Sequence, residues 1–309
     1  MDNLIVSTSP HLHSNKRTKN IMLDVIIALL PVTVAGTIIF GLRSLLVVST
    51  CVVSCVALEA LFNIICKKEQ TIGDLSAVVT GLLLSLNLPA NIPLWQCVIG
   101  SAFAIVIVKA LFGGIGCNPV NPAITARVFM IISFGSLATP AFPIVDATSS
   151  ATPLELGYAG KTPDLLEVFL GTTGGAIGET CALALLIGFA YLLVRRVITW
   201  HLPVAFIGTV YVLSFFMEGL DPIKALAMIL SGGLLIGAIF MATDYVTSPS
   251  TVAGKLIFGI GAGLITFVIR YFGSYPEGVS FGILFMNILT PYIDSWTKHK
   301  VFGVGGKKA

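Results

Sequence analysis

The sequence predicts an all-α polytopic membrane protein of about ten transmembrane helices, in two inverted five-helix halves with broken helices. Three observations lead there. Hydrophobic residues fill 56% of the 309 positions, charged residues 11%, and mean hydropathy is +0.96, far more apolar surface than one soluble core could bury. The apolar residues fall into runs near the length a bilayer demands, about 20 residues per helix crossing. The basic residues alternate between successive connections, as the positive-inside rule requires.

Residues 1–20 are polar and carry Lys16, Arg17 and Lys19 with no small-residue cleavage site following, so they read as a retained cytoplasmic tail without a signal peptide. Apolar runs follow at 21–40, 44–65, 76–88, 95–112 and 123–138, forming a first half over 21–138. The longest connection, 139–175, is expected on the extracytoplasmic face. A second half, 176–296, holds runs at 176–194, 202–217, 224–242, 255–272 and 279–296, and 297–309 is a second cytoplasmic tail. With both termini cytoplasmic, the cytoplasmic ends receive Lys16, Arg17, Lys19, Lys67, Lys68, Lys109, Arg127, Arg195, Arg196, Lys255, Lys298, Lys300, Lys307 and Lys308, fourteen of the eighteen basic residues. Arg43, Lys161, Lys224 and Arg270 fall elsewhere. Removing one crossing would invert everything after it and destroy the asymmetry.

Five crossings per half make the halves inverted relative to one another. The third run of the first half, Gly81 to Pro89, and that of the second, Gly237 to Asp244 and on to Pro249, both lose helical pattern in a polar, proline-bearing stretch. Paired interruptions of this kind point to a central site in transporter-like folds. Ordinary helix ends would also produce them.

Two polar islands are expected on the cytoplasmic side. Phe112 to Pro122 packs Gly113, Gly114, Gly116, Asn118 and Asn121 with two prolines. Glycine lets backbone approach a ligand and asparagine can meet a ring edge. The same residues build tight turns. The island is neither a P-loop, lacking Gly-Lys-Ser/Thr, nor a dinucleotide fingerprint, lacking a preceding strand. Ala242 to Thr251 places Asp244 among serines and threonines, a composition that also caps helices.

Other chemistries are poorly supported. The six cysteines show no CxxC spacing, which argues against disulfides or a four-cysteine iron–sulfur site within the chain, although Cys117 could join a site shared with a neighbour. No histidine is placed as a haem ligand, and no metal-ligand set or catalytic side chain is expected. A net charge of +3 with scattered basic residues argues against nucleic acid. Gly233 with Gly237, and Gly259 with Gly263, have the small-xxx-small spacing of close helix packing.

The outer connection contains Asp146-Ala147-Thr148-Ser149-Ser150-Ala151-Thr152, followed by Pro153. Turn chemistry explains the composition but not an acid six residues ahead of a terminal threonine. The pattern resembles the flavinylation motif Asp-x-x-Ser-Gly/Ser-Ala-Thr, at which a transferase joins the phosphate of FMN to the threonine hydroxyl. A hydroxyl in an accessible loop can enter a foreign active site and attack a phosphoryl centre.

With that loop, the chain resembles the D-subunit family of the Rnf complex, the ion-translocating ferredoxin:NAD oxidoreductases, and is similar to the corresponding membrane subunit of the sodium-translocating NADH:quinone oxidoreductase. The resemblance covers nearly the whole chain. It includes Gly113-Gly114-Ile115-Gly116 with Asn118-Pro119 and Asn121-Pro122, Met241-Ala242-Thr243-Asp244, Tyr275-Pro276-Glu277-Gly278, and Phe285-Met286-Asn287. Ser150 departs from the commoner glycine of the motif but is also small. The short N-terminal tail favours the ferredoxin-linked complex over its quinone-reducing relatives.

The resemblance implies FMN covalently held as a phosphoryl threonine at Thr152, within the motif formed by Asp146, Ser149, Ser150 and Ala151. It also implies a second, noncovalent riboflavin among the helices, for which Gly113, Gly114, Gly116, Asn118 and Asn121 are candidates. The expected role is electron relay between ferredoxin and NAD, coupled to Na+ or H+ transport in a bacterial inner membrane. The expected partners are other membrane and peripheral Rnf subunits and a flavin transferase. Ionisable groups inside a bilayer are costly and hence candidates for the ion pathway. Asp244 and Asp294 come first, with Asp24, Glu59 and Glu179 behind them. The competing class is a secondary transporter or channel without a redox role, and Thr152 separates the two because a covalent flavin is useless to a simple transporter.

Overall fold

In the computed structural model, the described residues are 17–135, 141–143, 153–154, 164–273 and 278–298. Each of the ten apolar runs contains helix. The first half holds α1 (Thr18–Phe40), α2 (Leu42–Ile65), α3 (Ser76–Leu86), α4 (Leu94–Ala102, continued as a π-helix over Phe103–Ala110) and α5 (Pro122–Ser133). After a short α6 (Leu165–Leu170) come α7 (Ala182–Val194), α8 (His201–Met217), α9 (Pro222–Leu230), α10 (Leu234–Ile236, continued as a π-helix over Gly237–Met241), α11 (Val252–Phe272) and α12 (Val279–Thr297). No strand occurs among the described residues beyond an isolated bridge between Ala141 and Gly175.

By length and composition, α1, α2 and α11 can each cross a membrane, and α9 with α10 makes a fourth if the bent pair is one span. Their outward sides carry exposed Leu30, Ile38, Leu42, Val53, Ile65 and Ile260, the apolar belt of a polytopic membrane protein. Of the shorter helices α3 and α10 are interior, whereas α7, α8 and α12 also turn apolar residues such as Ile187, Val212 and Ile288 outward. α3, with 11 residues, rises about 16 Å, roughly half the hydrocarbon thickness. It is buried from Thr80 to Leu86, so the irregular backbone beyond it is covered by protein, as backbone at that depth must be. The carbonyls of Leu86 and Leu88 accept from Gly178 N (2.7 Å) and Ile177 N (3.1 Å), which lays the segment before α7 along the end of α3.

Contacts sort the helix ends into two groups. At one end Asp24 of α1 meets Tyr191 and Arg195 at the close of α7, the Tyr245 hydroxyl donates to the Val197 carbonyl, Lys255 meets Thr199, and Ser250 meets Asp294. At the other, Arg43 donates to the carbonyls of Ala90 and Asn91, and Arg270 to those of Met228 and Ser231. The start of α1 therefore lies beside the end of α7, so these two pack antiparallel; Gly188 of α7 lies against the Ala28 carbonyl.

Local sequence explains the starts and breaks. Asn121 caps α5 by accepting from Ala123 N and Ile124 N, with Pro122 at the first helical position, and Asp221 with Pro222 does the same for α9. The interruption read from the sequence at Gly237–Asp244 differs in detail. Helical structure persists to Met241 as a π-turn, and the sharp bend, 68°, falls earlier, at Ser231–Gly233. Gly232 adopts φ +69° there, a region a side chain resists, while the Ser231 hydroxyl bonds back to the Ala227 carbonyl. Gly259 and Gly263 pack as their spacing suggests: a Cβ on Gly259 would come 2.8 Å from Ala205 Cβ, and one on Gly263 2.7 Å from Thr209 Cβ, both on α8.

Candidate functional site

A partly open cavity of about 100 Å³ lies among α1, α3, the end of α4, the start of α5, the end of α7 and the end of α10. Val79, Leu83, Ile198 and Phe240 give it apolar walls, while Ser76, Lys109, Asn118, Asn121 and Asp244 supply polar groups. Concave, mostly apolar sites with a few convergent polar groups are where small molecules bind.

One wall is held by a buried ionic network. Lys109 Nζ donates to Glu59 Oε1 (3.0 Å), Glu59 Oε2 (2.9 Å) and Ser76 Oγ (2.6 Å), which uses all three ammonium protons. Thr71 Oγ1 donates to Glu59 Oε1 at 2.6 Å, and Ser76 Oγ to Asp74 Oδ1 at 2.6 Å. Lys109 and Glu59 are almost entirely buried, so each charge is tolerated only because the other faces it.

Deeper in the molecule the two interrupted helices meet. Arg127 of α5 donates through Nη1 to Asn87 Oδ1 (2.6 Å), at the end of α3, and pairs through Nη2 with Glu179 Oε1 (2.7 Å), ahead of α7. Asn87 Nδ2 reaches Leu83 O (2.7 Å) and Met241 Sδ (3.3 Å), at the end of α10. Asn121 Nδ2 donates to Met241 O at 3.1 Å. With its amide oriented to suit both neighbours, Asn287 of α12 accepts from Asn121 N and donates to Thr247 O, each at 3.2 Å.

The expected site residues divide among these places. Asn118, Asn121 and Asp244 line the cavity together. Asn121 spends its side-chain carbonyl on the α5 cap and one amide proton on Met241, whereas among the described residues Asn118 donates only to Val120 O. Gly113, Gly114 and Gly116, with φ of +119°, +97° and +89°, curve the loop that brings Ile115 and Asn118 to the wall; they do not line it themselves. Asp244 is half-buried and accepts from Thr247 Oγ1 at 3.2 Å. Burial raises its pKa above the usual carboxylate range, against the lowering effect of hydrogen bonds from Thr247, Val246 N and Tyr245 N. Asp294 lies outside the cavity, where it accepts from Ser250 N (3.0 Å) and Oγ (3.1 Å) at the approach to α11. Asp24, Glu59 and Glu179 are each salt-bridged. Asp146, Ser149, Ser150, Ala151 and Thr152 lie outside the described residues. Cys117 is exposed, and no metal-binding group of His, Cys, Asp or Glu occurs among the described residues.

Lys109 and Arg127, counted from the sequence among the charges at the cytoplasmic ends, are buried and paired. Each interrupts an apolar run, and that is the signal that marks an interior charge. Asn87 and Asn287 carried no such signal, because an isolated asparagine reads as a helix end until its partners across the fold are known.

A sequence model of the NQR2, RnfD, RnfE family matches residues 5–303. The chain is 48% identical over 309 residues, 98% of it and 96% of the relative, to the D subunit of the Na(+)-translocating ferredoxin:NAD(+) oxidoreductase complex of Acetobacterium woodii. It is 40% identical, over 96% of each chain, to the D subunit of the proton-translocating ferredoxin:NAD(+) oxidoreductase complex of Clostridium ljungdahlii. It is 35% identical, over 96% of the chain and 98% of the relative, to the D subunit of an ion-translocating oxidoreductase complex of Cronobacter sakazakii.

Proposed function

The chain belongs to the NQR2, RnfD, RnfE family, and from that premise we propose that it is the RnfD-type membrane subunit of an Rnf complex, an ion-translocating ferredoxin:NAD oxidoreductase. The observation that carries this reading is 48% identity, sustained over nearly all of both chains, to a relative whose name states that activity. In this reading Thr152 holds FMN through its phosphate and the other subunits of the complex deliver and remove electrons. A flavin accepts two electrons and releases them singly, which suits such a relay.

The chain's own residues would hold a second flavin in the cavity. Its apolar walls can flank a planar ring, and Asn118 keeps hydrogen-bonding capacity for the ring edge. The buried Lys109 and Glu59 fix the wall from behind. Asp244 faces the same space as a carboxylate that gains a proton at higher pH than usual, so a cation entering there competes with that proton. The protein made with and without its flavin transferase tests the reading: yellow fluorescence surviving denaturing electrophoresis should appear only with the transferase. Wild-type protein lacking covalent flavin beside an active transferase would sink it.

Orientation in this reading follows from the charge asymmetry, with both termini cytoplasmic and the surrounding bilayer a bacterial inner membrane. Reporter fusions at Gly160 should signal from the outer face, and fusions after Lys68, Arg196 and Ala309 from the cytoplasm. A cytoplasmic signal at Gly160 would overturn the arrangement of crossings.

Asp244→Asn should reduce ion transport severalfold while leaving covalent flavin content unchanged, because an amide keeps the volume and a hydrogen bond to Thr247 but carries no charge for a cation. Wild-type transport should itself fall toward acidic pH, as protons occupy the raised-pKa carboxylate, whereas the variant should lose that dependence. Equal transport by both proteins across pH and at limiting sodium would leave Asp244 a structural cap.

A further inference from the structure

The side chains behind the cavity wall form an unbroken hydrogen-bonded line from the protein surface to the cavity. Asp74, at the connection between α2 and α3, is half-buried and so reaches solvent. Its Oδ1 accepts from Ser76 Oγ at 2.6 Å and from Ser76 N at 2.8 Å, and Ser76 Oγ in turn accepts from Lys109 Nζ at 2.6 Å. Ser76 and Lys109 are 6% and 4% exposed, and both line the cavity. The side-chain links are short enough for a proton to pass directly between heavy atoms, about 2.6–3.2 Å. An ion pair that only braced the wall would need Glu59 and Lys109. It would not need a buried hydroxyl joining the ammonium to a second carboxylate at the surface.

The other titratable groups around Lys109 are Glu59 and Cys55 of α2 and, on the cavity wall, Asp244 and Tyr245. Glu59 reaches the surface through the hydroxyl of exposed Thr71, at 2.6 Å, which neither holds an extra proton nor gives one up at ordinary pH. Cys55 is fully buried. Asp244 and Tyr245 are bonded on their own side, to Thr247 and to the Val197 carbonyl. Asp74 combines a titratable group, contact with solvent and a bonded line to Lys109.

We propose that Asp74, Ser76 and Lys109 form a proton path from the surface into the cavity, an inference that rests on the second flavin proposed above. A flavin ring that takes two electrons from the other subunits also takes up two protons. Supplying a proton with each electron keeps charge from accumulating in a low-dielectric site. Lys109 holds Glu59 with two N–H groups, so it can turn one towards the cavity and keep the other. For each proton delivered, an N–H bond breaks on the ammonium and one forms on the ring. The amine left behind takes the Ser76 hydroxyl proton, Ser76 takes one from the Asp74 carboxyl, and Asp74 has taken its own from solvent. Water loses one proton and the ring gains one. The three side chains return to the arrangement seen, with Lys109 donating to Ser76 and Ser76 to Asp74.

The test uses the full-length protein with its flavins bound. Proton uptake after flash photoreduction is followed with an indicator dye and normalised to the noncovalent flavin present. Ser76→Ala and Asp74→Asn should each slow it by about tenfold or more. Ser76→Thr should keep it near the wild-type rate, and added formate, a small weak acid, should restore part of the rate to Asp74→Asn. Thr71→Val should leave it unchanged, which separates the Asp74 line from the Thr71–Glu59 line. A second measurement needs no flavin: the Lys109 Nζ protons, seen by NMR of nitrogen-15-lysine protein, should exchange with solvent more slowly in Ser76→Ala than in wild type. Wild-type uptake in both Ser76→Ala and Asp74→Asn, or slowing in Thr71→Val alone, would overturn the path while leaving the flavin in place. A wild-type protein without noncovalent flavin would instead remove the reading beneath it, and unaltered Lys109 exchange in Ser76→Ala would then overturn the path on its own.

Discussion

Thr152→Ala should abolish the flavin fluorescence of this protein on a denaturing gel while leaving it inserted and folded. In the proposed reading Thr152 is the acceptor, because it alone ends the Asp146-x-x-Ser149-Ser150-Ala151-Thr152 pattern. Alanine removes the attacking oxygen at nearly the same volume. Thr152→Ser keeps a hydroxyl and should retain some labelling, whereas Thr148→Ala and Ser150→Ala should lose at most part of it. Without the relay, ferredoxin-dependent reduction of NAD and the associated ion pumping should fall together to background in membrane vesicles. Full fluorescence in the alanine variant would move the covalent site to another residue.

Lys109→Met should be the most damaging single change among the helices. It strands the Glu59 carboxylate, 6% exposed, with Thr71 as its remaining donor among the described residues, and breaking a buried pair from one side costs about 3–5 kcal/mol. Glu59→Gln strands the ammonium instead, although Ser76 still accepts from it, so the loss should be smaller. The double variant Glu59→Leu/Lys109→Met removes both charges and should recover most of the lost stability, because hydrophobic residues commonly replace buried ion pairs at little cost. Thermal unfolding in detergent reads all three. A Lys109→Met protein as stable as wild type would show that the pair is dispensable to the fold.

Much of this architecture was legible from sequence because a bilayer imposes length on helices. The ten apolar runs each contain helix, although the capped starts at Asn121-Pro122 and Asp221-Pro222 fall just ahead of the runs at 123 and 224. The bend at Ser231–Gly233 was less legible, because two adjacent glycines can serve packing or a turn, and only the positive φ of Gly232 decides. Asn118, Asn121 and Asp244 line one cavity, a proximity that their separate islands did not indicate. The burial of Lys109 and Arg127 was not legible in the charge count, because a rule that counts charges by connection does not ask how deep each one sits. Their partners Glu59 and Glu179 are 50 and 52 residues away, beyond any local pattern.

The way the first five helices interlock with the last six limits how this protein can move. α1 lies along α7, α5 touches α12, and Arg127–Glu179, Asn87–Met241 and Asn121–Met241 cross from one group to the other through the middle of the molecule. Rocking one group bodily against the other, as many carriers do, would rupture a buried ion pair and bare the interrupted ends of α3 and α10 at once. The compliant parts are instead the short pieces themselves, the bend before α10 and the π-turns that close α4 and α10, where the backbone ladder is already loosened. An ion passing through such a frame would be gated by small local shifts of a few side chains rather than by a swing of domains.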